Sequence, residues 1–261
     1  MTFRKLIRII TIVLLSGSLY LEAGESLKLL PEAVEWGTAG AAFVAARKLD
    51  HIPVWHHSSI FTGTTDKEFR ENTVSEMQLY AAAGLTTLGI GLIPNNEGWL
   101  KPSSYHHAKG ILESLSATYL ITNITKNLFG RQRPSFKSYP AEEHLDAEKS
   151  FPSGHASISF AIASYSSLYI FDHIGEWNNP SEKSGKWLYL IVSHLSAGYV
   201  GYTRITDNRH FLSDVVAGGV LGSGLAVIVY SYQNSKCTGN NDDSSLQKKE
   251  TPIFLTFSVP F

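Results

Sequence analysis

Cysteine is almost missing from this 261-residue chain: Cys237 stands alone. That excludes an internal disulfide and a cysteine-built metal site. So few thiols are compatible with an oxidising compartment. Charge is sparse as well. Charged residues make up 17%, and 22 Lys and Arg against 23 Asp and Glu leave a net charge of −1. No overall basic field exists to hold nucleic acid, so any anion site has to be local. Long apolar runs are absent too. The best segments run 15 to 17 residues and are broken by Thr, Ser or His, whereas a membrane span needs about 18 or more. With a mean hydropathy of −0.04, a soluble or peripheral protein is favoured over a polytopic one. There is no visible cluster of acidic residues to hold magnesium, and no internal repeat. The 43% of hydrophobic residues is enough for a sizeable core.

The N-terminus carries Arg4, Lys5 and Arg8, then the apolar run Ile9–Leu15 with Thr11 inside it, then Ser16, Gly17 and Ser18 leading to Ala23 and Gly24. A basic start, a short apolar stretch and small residues describe a secretory signal. Export to the periplasm is expected, with cleavage after Ala23; an uncleaved membrane anchor is the alternative. The expected divisions are a signal over 1–23, a helical domain over 24–232, and a polar linker with an extended tail over 233–261.

Weakly apolar segments rich in Ala, Gly, Ser and Leu follow: Ala33–Ala46, Leu79–Ile93, Ala108–Thr125, His155–Phe171, Trp187–Tyr202 and Asp214–Tyr230. Their length predicts helices. Pro94, Pro102, Pro134, Pro152 and Pro180 fall between them or at their starts, where proline is tolerated. The fold class is therefore all-α, a bundle of about six core helices with a few short ones. Pro94–His107, Phe171–Lys186 and the acidic Ser135–Ser150 read as loops. Gln233–Thr251 reads as a linker, and the alternation in Pro252–Phe261 as a short strand.

Three motifs carry the chemistry. In the first, Lys126 lies near the end of an apolar helix, Gly130 and Pro134 mark its stop, and Arg133 follows seven residues after Lys126. In the second, Pro152-Ser153-Gly154-His155 opens a helix. A Ser-Gly pair there exposes free backbone N–H groups, a ready anion site, with His155 beside it. In the third, Arg204 precedes His210 and Asp214, which are four apart and share a helix face. A carboxylate beside one imidazole nitrogen fixes the tautomer and leaves the other nitrogen free to attack. Cations, backbone donors, two histidines and a carboxylate meet the needs of phosphoryl transfer: clamps for the oxygens, a nucleophile and a proton source.

This triplet resembles the signature of the type 2 phosphatidic acid phosphatase superfamily, which shares its fold with the vanadium haloperoxidases. Lys126…Arg133-Pro134, Pro152-Ser153-Gly154-His155 and Arg204…His210…Asp214 match its three motifs in order. Thr203 stands where the family usually has serine, and a hydroxyl survives. The resemblance implies a metal-independent hydrolase of phosphate monoesters that needs no cofactor. It implies that His210 attacks phosphorus and becomes a phosphohistidine. Asp214 would orient His210, and His155 would protonate the leaving oxygen and then activate water. Lys126, Arg133, Arg204, Ser153 and Gly154 would hold the phosphate oxygens. The implied partners are a phosphorylated lipid or small molecule and a membrane surface. A vanadate-dependent haloperoxidase is the runner-up, though such enzymes are usually much longer. A non-catalytic phosphate or head-group binder is the third reading, and it would not need the two histidines.

Other residues carry less. The adjacent pairs His56-His57 and His106-His107 point apart on a helix or a strand and chelate poorly. Glu113 reads as a solvated helix residue. Arg131 and Arg209 flank the motifs and add local field.

Overall fold

A computed structural model describes residues 29–56, 63 and 65–239. The segments read as a signal and as a terminal strand lie outside the described residues. Seven α-helices run in order: α1 Leu29–Asp50, α2 Glu76–Leu92, α3 Pro102–Phe129, α4 His144–Ala147, α5 Gly154–His173, α6 Pro180–Thr206 and α7 Leu212–Gly239. Among the described residues there is no strand, and the chain is all-α as expected.

Local chemistry sets the helix ends. Ser75 and Gln78 form a capping box at the start of α2. Pro102 and Pro180 sit in the first turns of α3 and α6, where the missing N–H goes unnoticed. Gly130 ends α3 in a left-handed turn, φ 52°. Ser153 caps α5 by accepting from the Ala156 N–H.

Each of the six expected helices is present; α2 stops at Leu92, one residue short of Ile93, and the other five run past both ends of their apolar stretches. Residues 102–107 and 180–186, expected as loop, are helical. Their polar side chains are satisfied locally: Asn95 donates to Ser103 at 2.9 Å, and Asn179 accepts from the Ser181 N–H at 3.2 Å. Residues 233–239, expected as linker, continue α7. At its other end α7 begins at Leu212, ahead of the expected Asp214, which lengthens the apolar stretch. Leu212–Cys237 is 26 residues long and holds an 18-residue window with a mean hydropathy of 1.9, so by length and composition it could cross a membrane.

Helices α3, α5 and α7 form the centre, with α1 and α2 laid on α3 and α6 on α5. The core is Ile90, Ile111, Ala161, Tyr165, Tyr169, Ala226 and Tyr230. Glycine lets α7 lie against α5: a Cβ on Gly218 would stand 2.6 Å from the Ser153 carbonyl. The same contact fixes where α5 begins. The C-termini of α3 and α6 and the N-termini of α5 and α7 meet at one end of the bundle, and there the three motifs converge.

Candidate active site

Lys126 (α3), Arg133, His155 (α5), Arg204 (α6) and His210 line one end of a single cavity of about 1050 Å³. Gly154 lines it too, and Ser153 is buried beneath as the α5 cap. Asp214 lies behind His210, fully buried. The motifs, spread over nearly 90 residues of sequence, are one site in space.

The α5 N-terminus presents Gly154 and His155 N–H groups that no intrahelical carbonyl can reach. Lys126 projects at that helix end, and its Nζ would lie 3.7 Å from a Cβ on Gly154. A helix N-terminus repels a cation. Lys126 is only 8% exposed and has no ion pair among the described residues. An ammonium, a helix N-terminus and a cavity beside them could together hold an anion.

Arg133 is held on three sides. Its Nε donates to the Asp146 carbonyl at 2.8 Å, its Nη2 to the Asp146 carboxylate at 2.7 Å, and its Nη1 to the Arg209 carbonyl at 3.0 Å. Tyr139 donates to the other Asp146 oxygen at 2.8 Å. Burial alone would raise the Asp146 carboxyl, but Arg133 beside it outweighs that and holds it well below the usual carboxylate range. Arg204 donates to Asp207 at 2.8 Å and to Asn72 at 2.9 Å, while its buried Nε has no partner. Burial lowers the Arg204 guanidinium to about 10, which still leaves it charged at neutral pH. Thr203 accepts from Arg204 at 3.3 Å, so the hydroxyl standing for serine still supports the arginine.

The tautomer of His210 follows from its neighbours. Its Nδ1 lies 2.7 Å from the Ser150 carbonyl, which can only accept. Its Nε2 lies 3.1 Å from Arg133 Nη1, which can only donate. Nδ1 therefore carries the hydrogen and Nε2 the lone pair. Burial, then Arg133, pushes the ring down to about 4, so it is neutral at pH 7.

Asp214, expected beside one nitrogen of the ring, pairs with Nδ1 at 3.7 Å. It accepts from Ser150 Oγ at 2.6 Å and from the Phe211 N–H at 2.9 Å, and it pairs with Arg131. The Ser150 carbonyl is thus nearer to Nδ1 than the carboxylate is.

His155 reaches the Val74 carbonyl through Nε2 at 3.1 Å. Burial, then Arg204, His210, Lys126 and Arg133, hold its imidazole well below the ordinary histidine range.

Sequence reasoning passed over Asp146, Asp207, Asn72 and Ser150. It placed Arg131 only as a source of field, whereas Arg131 is the partner of Asp214. Glu113 lies apart from the phosphate end, bonded to Gln233 at 2.6 Å. His107 is a core residue ringed by Tyr165, Tyr169 and Tyr230. Among the described residues no group of three or more His, Cys, Asp or Glu converges as a metal site.

These features define a helical-bundle protein with a cavity lined by three cations and two imidazoles. Residues 108–236 match the PAP2 superfamily, so the chain belongs to the type 2 phosphatidic acid phosphatase superfamily. It is similar to lipid phosphate phosphatase 1 of Arabidopsis thaliana, 33% identical over 145 residues, covering 48% of this chain and 44% of that protein. A PA-phosphatase related-family protein of Dictyostelium discoideum is 31% identical over 131 residues, 48% of each chain. A probable diacylglycerol pyrophosphate phosphatase 1 of Schizosaccharomyces pombe is 27% identical over 168 residues, covering 56% of this chain and 58% of that one. The chain spans about half the length of the curated relatives it matches.

Proposed function

We propose that this chain is a phosphatase that hydrolyses phosphate monoesters of lipids, without a metal, through a phosphohistidine on His210. The observation that carries the reading is the pair of imidazoles, His155 and His210, on a cavity lined by Lys126, Arg133 and Arg204. Those three cations and the α5 N-terminus would hold the non-bridging oxygens. On binding, Arg133 Nη1 would pass from the His210 lone pair to a phosphate oxygen, freeing Nε2. Nε2 then attacks phosphorus, the bond from phosphorus to the ester oxygen breaks, and His155 gives that oxygen its proton. Water, deprotonated by His155, attacks the phosphohistidine, and inorganic phosphate leaves.

A lipid substrate is supported by the similarity to a lipid phosphate phosphatase and a probable diacylglycerol pyrophosphate phosphatase and by the apolar surface of the bundle. Leu188, Ile191, Leu195 and Tyr202 are exposed along α6, and Leu212, Val216, Val220 and Ile228 along α7. So much exposed apolar surface on neighbouring helices fits a membrane-associated protein. The reading places the protein outside the cytoplasm, following the expected export signal.

The test is hydrolysis of p-nitrophenyl phosphate and of phosphatidate in detergent, in excess EDTA, with the phosphohistidine, which survives base and not acid, trapped by rapid alkaline quench. Loss of activity on removing metals would overturn metal independence. Full activity in His210→Ala would overturn the nucleophile.

A further inference from the structure

The cavity does not end at the phosphate site. From Lys126 it continues between α1 and α2 over the face of α3, lined by Phe43, Leu79, Ala83, Leu88, Leu112 and Leu115. Trp36, Tyr105 and Lys109 line its far end. Lys109 has a side chain 0% exposed, bonded to Glu32 at 2.6 Å and to Glu35 at 2.5 Å. Trp36 donates to the Tyr105 hydroxyl at 3.0 Å, which donates to Glu32 at 3.1 Å. That network is polar and internally paired. A hydrocarbon pushed into it would break ion pairs and replace them with nothing.

We propose that this cleft is a slot of fixed length for one hydrocarbon chain of the phosphate ester, opening at Lys126 and stopped by Lys109. The proposal rests on reading the His210 end as the phosphate site. Its length follows from the helices. The bonds Lys109–Glu32 and Asn123–Ala46 each join residues 77 apart, so α1 and α3 run parallel in a steady register. Lys109 and Lys126 are 17 residues apart on α3, about 25 Å at the helical rise. A staggered chain of carbon–carbon bonds advances about 1.25 Å per carbon. The slot therefore takes a chain of up to about twenty carbons, more than the roughly 15 Å depth of one bilayer leaflet requires.

Gly40 is the natural place to shorten it. The same register sets Gly40 level with residue 117, about 14 Å from Lys126 by the helical rise. A Cβ there meets no atom within 4 Å, and Gly40 lines the cavity. Gly37, one turn away on α1, has equal room for a Cβ but is not part of the cavity wall. Replacing a helical glycine does not threaten the helix.

The experiment compares wild type, Gly40→Phe and Gly37→Phe on butyl, octyl, dodecyl and hexadecyl phosphate below their micelle concentrations. Binding of the matching alkylphosphonates, which have no cleavable ester bond, is measured by calorimetry. In wild type, kcat/KM and phosphonate affinity are expected to rise with chain length to hexadecyl. In Gly40→Phe, the advantage of hexadecyl over octyl is expected to fall at least tenfold, since each methylene kept out of the slot forfeits about fourfold. Butyl and octyl should stay within twofold, and Gly37→Phe should match wild type throughout. No chain-length dependence in wild type, an unchanged preference in Gly40→Phe, or an equal loss in Gly37→Phe would each overturn the slot. Failure of p-nitrophenyl phosphate hydrolysis with the phosphonate series intact would instead sink the phosphatase reading and leave the slot standing.

Discussion

Asp214→Asn separates two jobs that a histidine-carboxylate pair usually performs together. The carboxylate oxygen lies 3.7 Å from His210 Nδ1, while the ring hydrogen goes to the Ser150 carbonyl at 2.7 Å. Removing the charge should leave the tautomer alone and take away only the field that stabilises positive charge on the ring during attack. At about 4 Å and an effective dielectric near 20, that field is worth about 4 kcal/mol. Arg131 pairs with the same carboxylate and cancels part of it, so half, about 2 kcal/mol, is the lower figure. The expected fall in kcat is between about thirtyfold and a thousandfold. A ring turned to the wrong tautomer would lose more, on the order of ten-thousandfold. The buried Arg131 would lose its charge partner while keeping Ser213 at 2.7 Å, which destabilises the fold by up to about 3 kcal/mol, so thermal melting is recorded beside the kinetics. Nitrogen-15 chemical shifts of the His210 ring report the tautomer directly. A flipped tautomer in Asp214→Asn, or a kcat within threefold of wild type, would refute the division of labour.

Other consequences are simpler to read. His210→Ala should lose all measurable turnover while keeping the helical circular dichroism of wild type. Lys126→Met removes the ammonium that faces the α5 N-terminus, and is expected to weaken vanadate inhibition by at least tenfold. The His210 ring is held at about 4, so kcat/KM should stay level from pH 7 downward and fall as pH drops through about 4. Stability follows the same sign. A buried histidine with a lowered folded value contributes fully above the unfolded value near 6.5 and loses that contribution as pH falls from there to about 4. Equilibrium urea unfolding at pH 7, 5.5 and 4.5 should show this loss in wild type, and less of it in His210→Gln.

The bundle was legible because its helices are long, apolar and punctuated by proline and glycine. The motif residues were legible because each sits at or just beyond a helix end, where a fixed spacing survives into space. What stayed hidden has no spacing to show. Asp146 lies among Glu142, Glu143 and Glu148, and nothing in that run marks it as the acid that Arg133 meets. Arg131 is two residues from a motif arginine, but its partner Asp214 is 83 residues away. The Ser150 carbonyl that fixes the His210 tautomer is backbone and leaves no mark in a sequence. The polar first turns of α3 and α6 looked like loops because their hydrogen bonds to Asn95 and Asn179 are formed only once the chain has folded.

The proposed acid presents the sharpest physical demand of the site. Burial and four neighbours, led by Arg204, keep His155 neutral at pH 7, yet the leaving oxygen needs a proton from it. A phosphate dianion resolves the conflict by reversing the sign of the field. Placed among Lys126, Arg133 and Arg204, it adds an opposite charge worth about 4 kcal/mol at 4 Å, and the imidazole then gains a proton as the ester binds. The acid is thus assembled by its own substrate, and the two kinetic profiles should differ. The profile of kcat, which reports the bound complex, should carry an alkaline limb where bound His155 loses its proton. In His155→Ala that limb should vanish from kcat, with alkyl phosphates slowed far more than p-nitrophenyl phosphate, whose leaving group needs little protonation. An alkaline limb that persists in His155→Ala would assign the proton to another group.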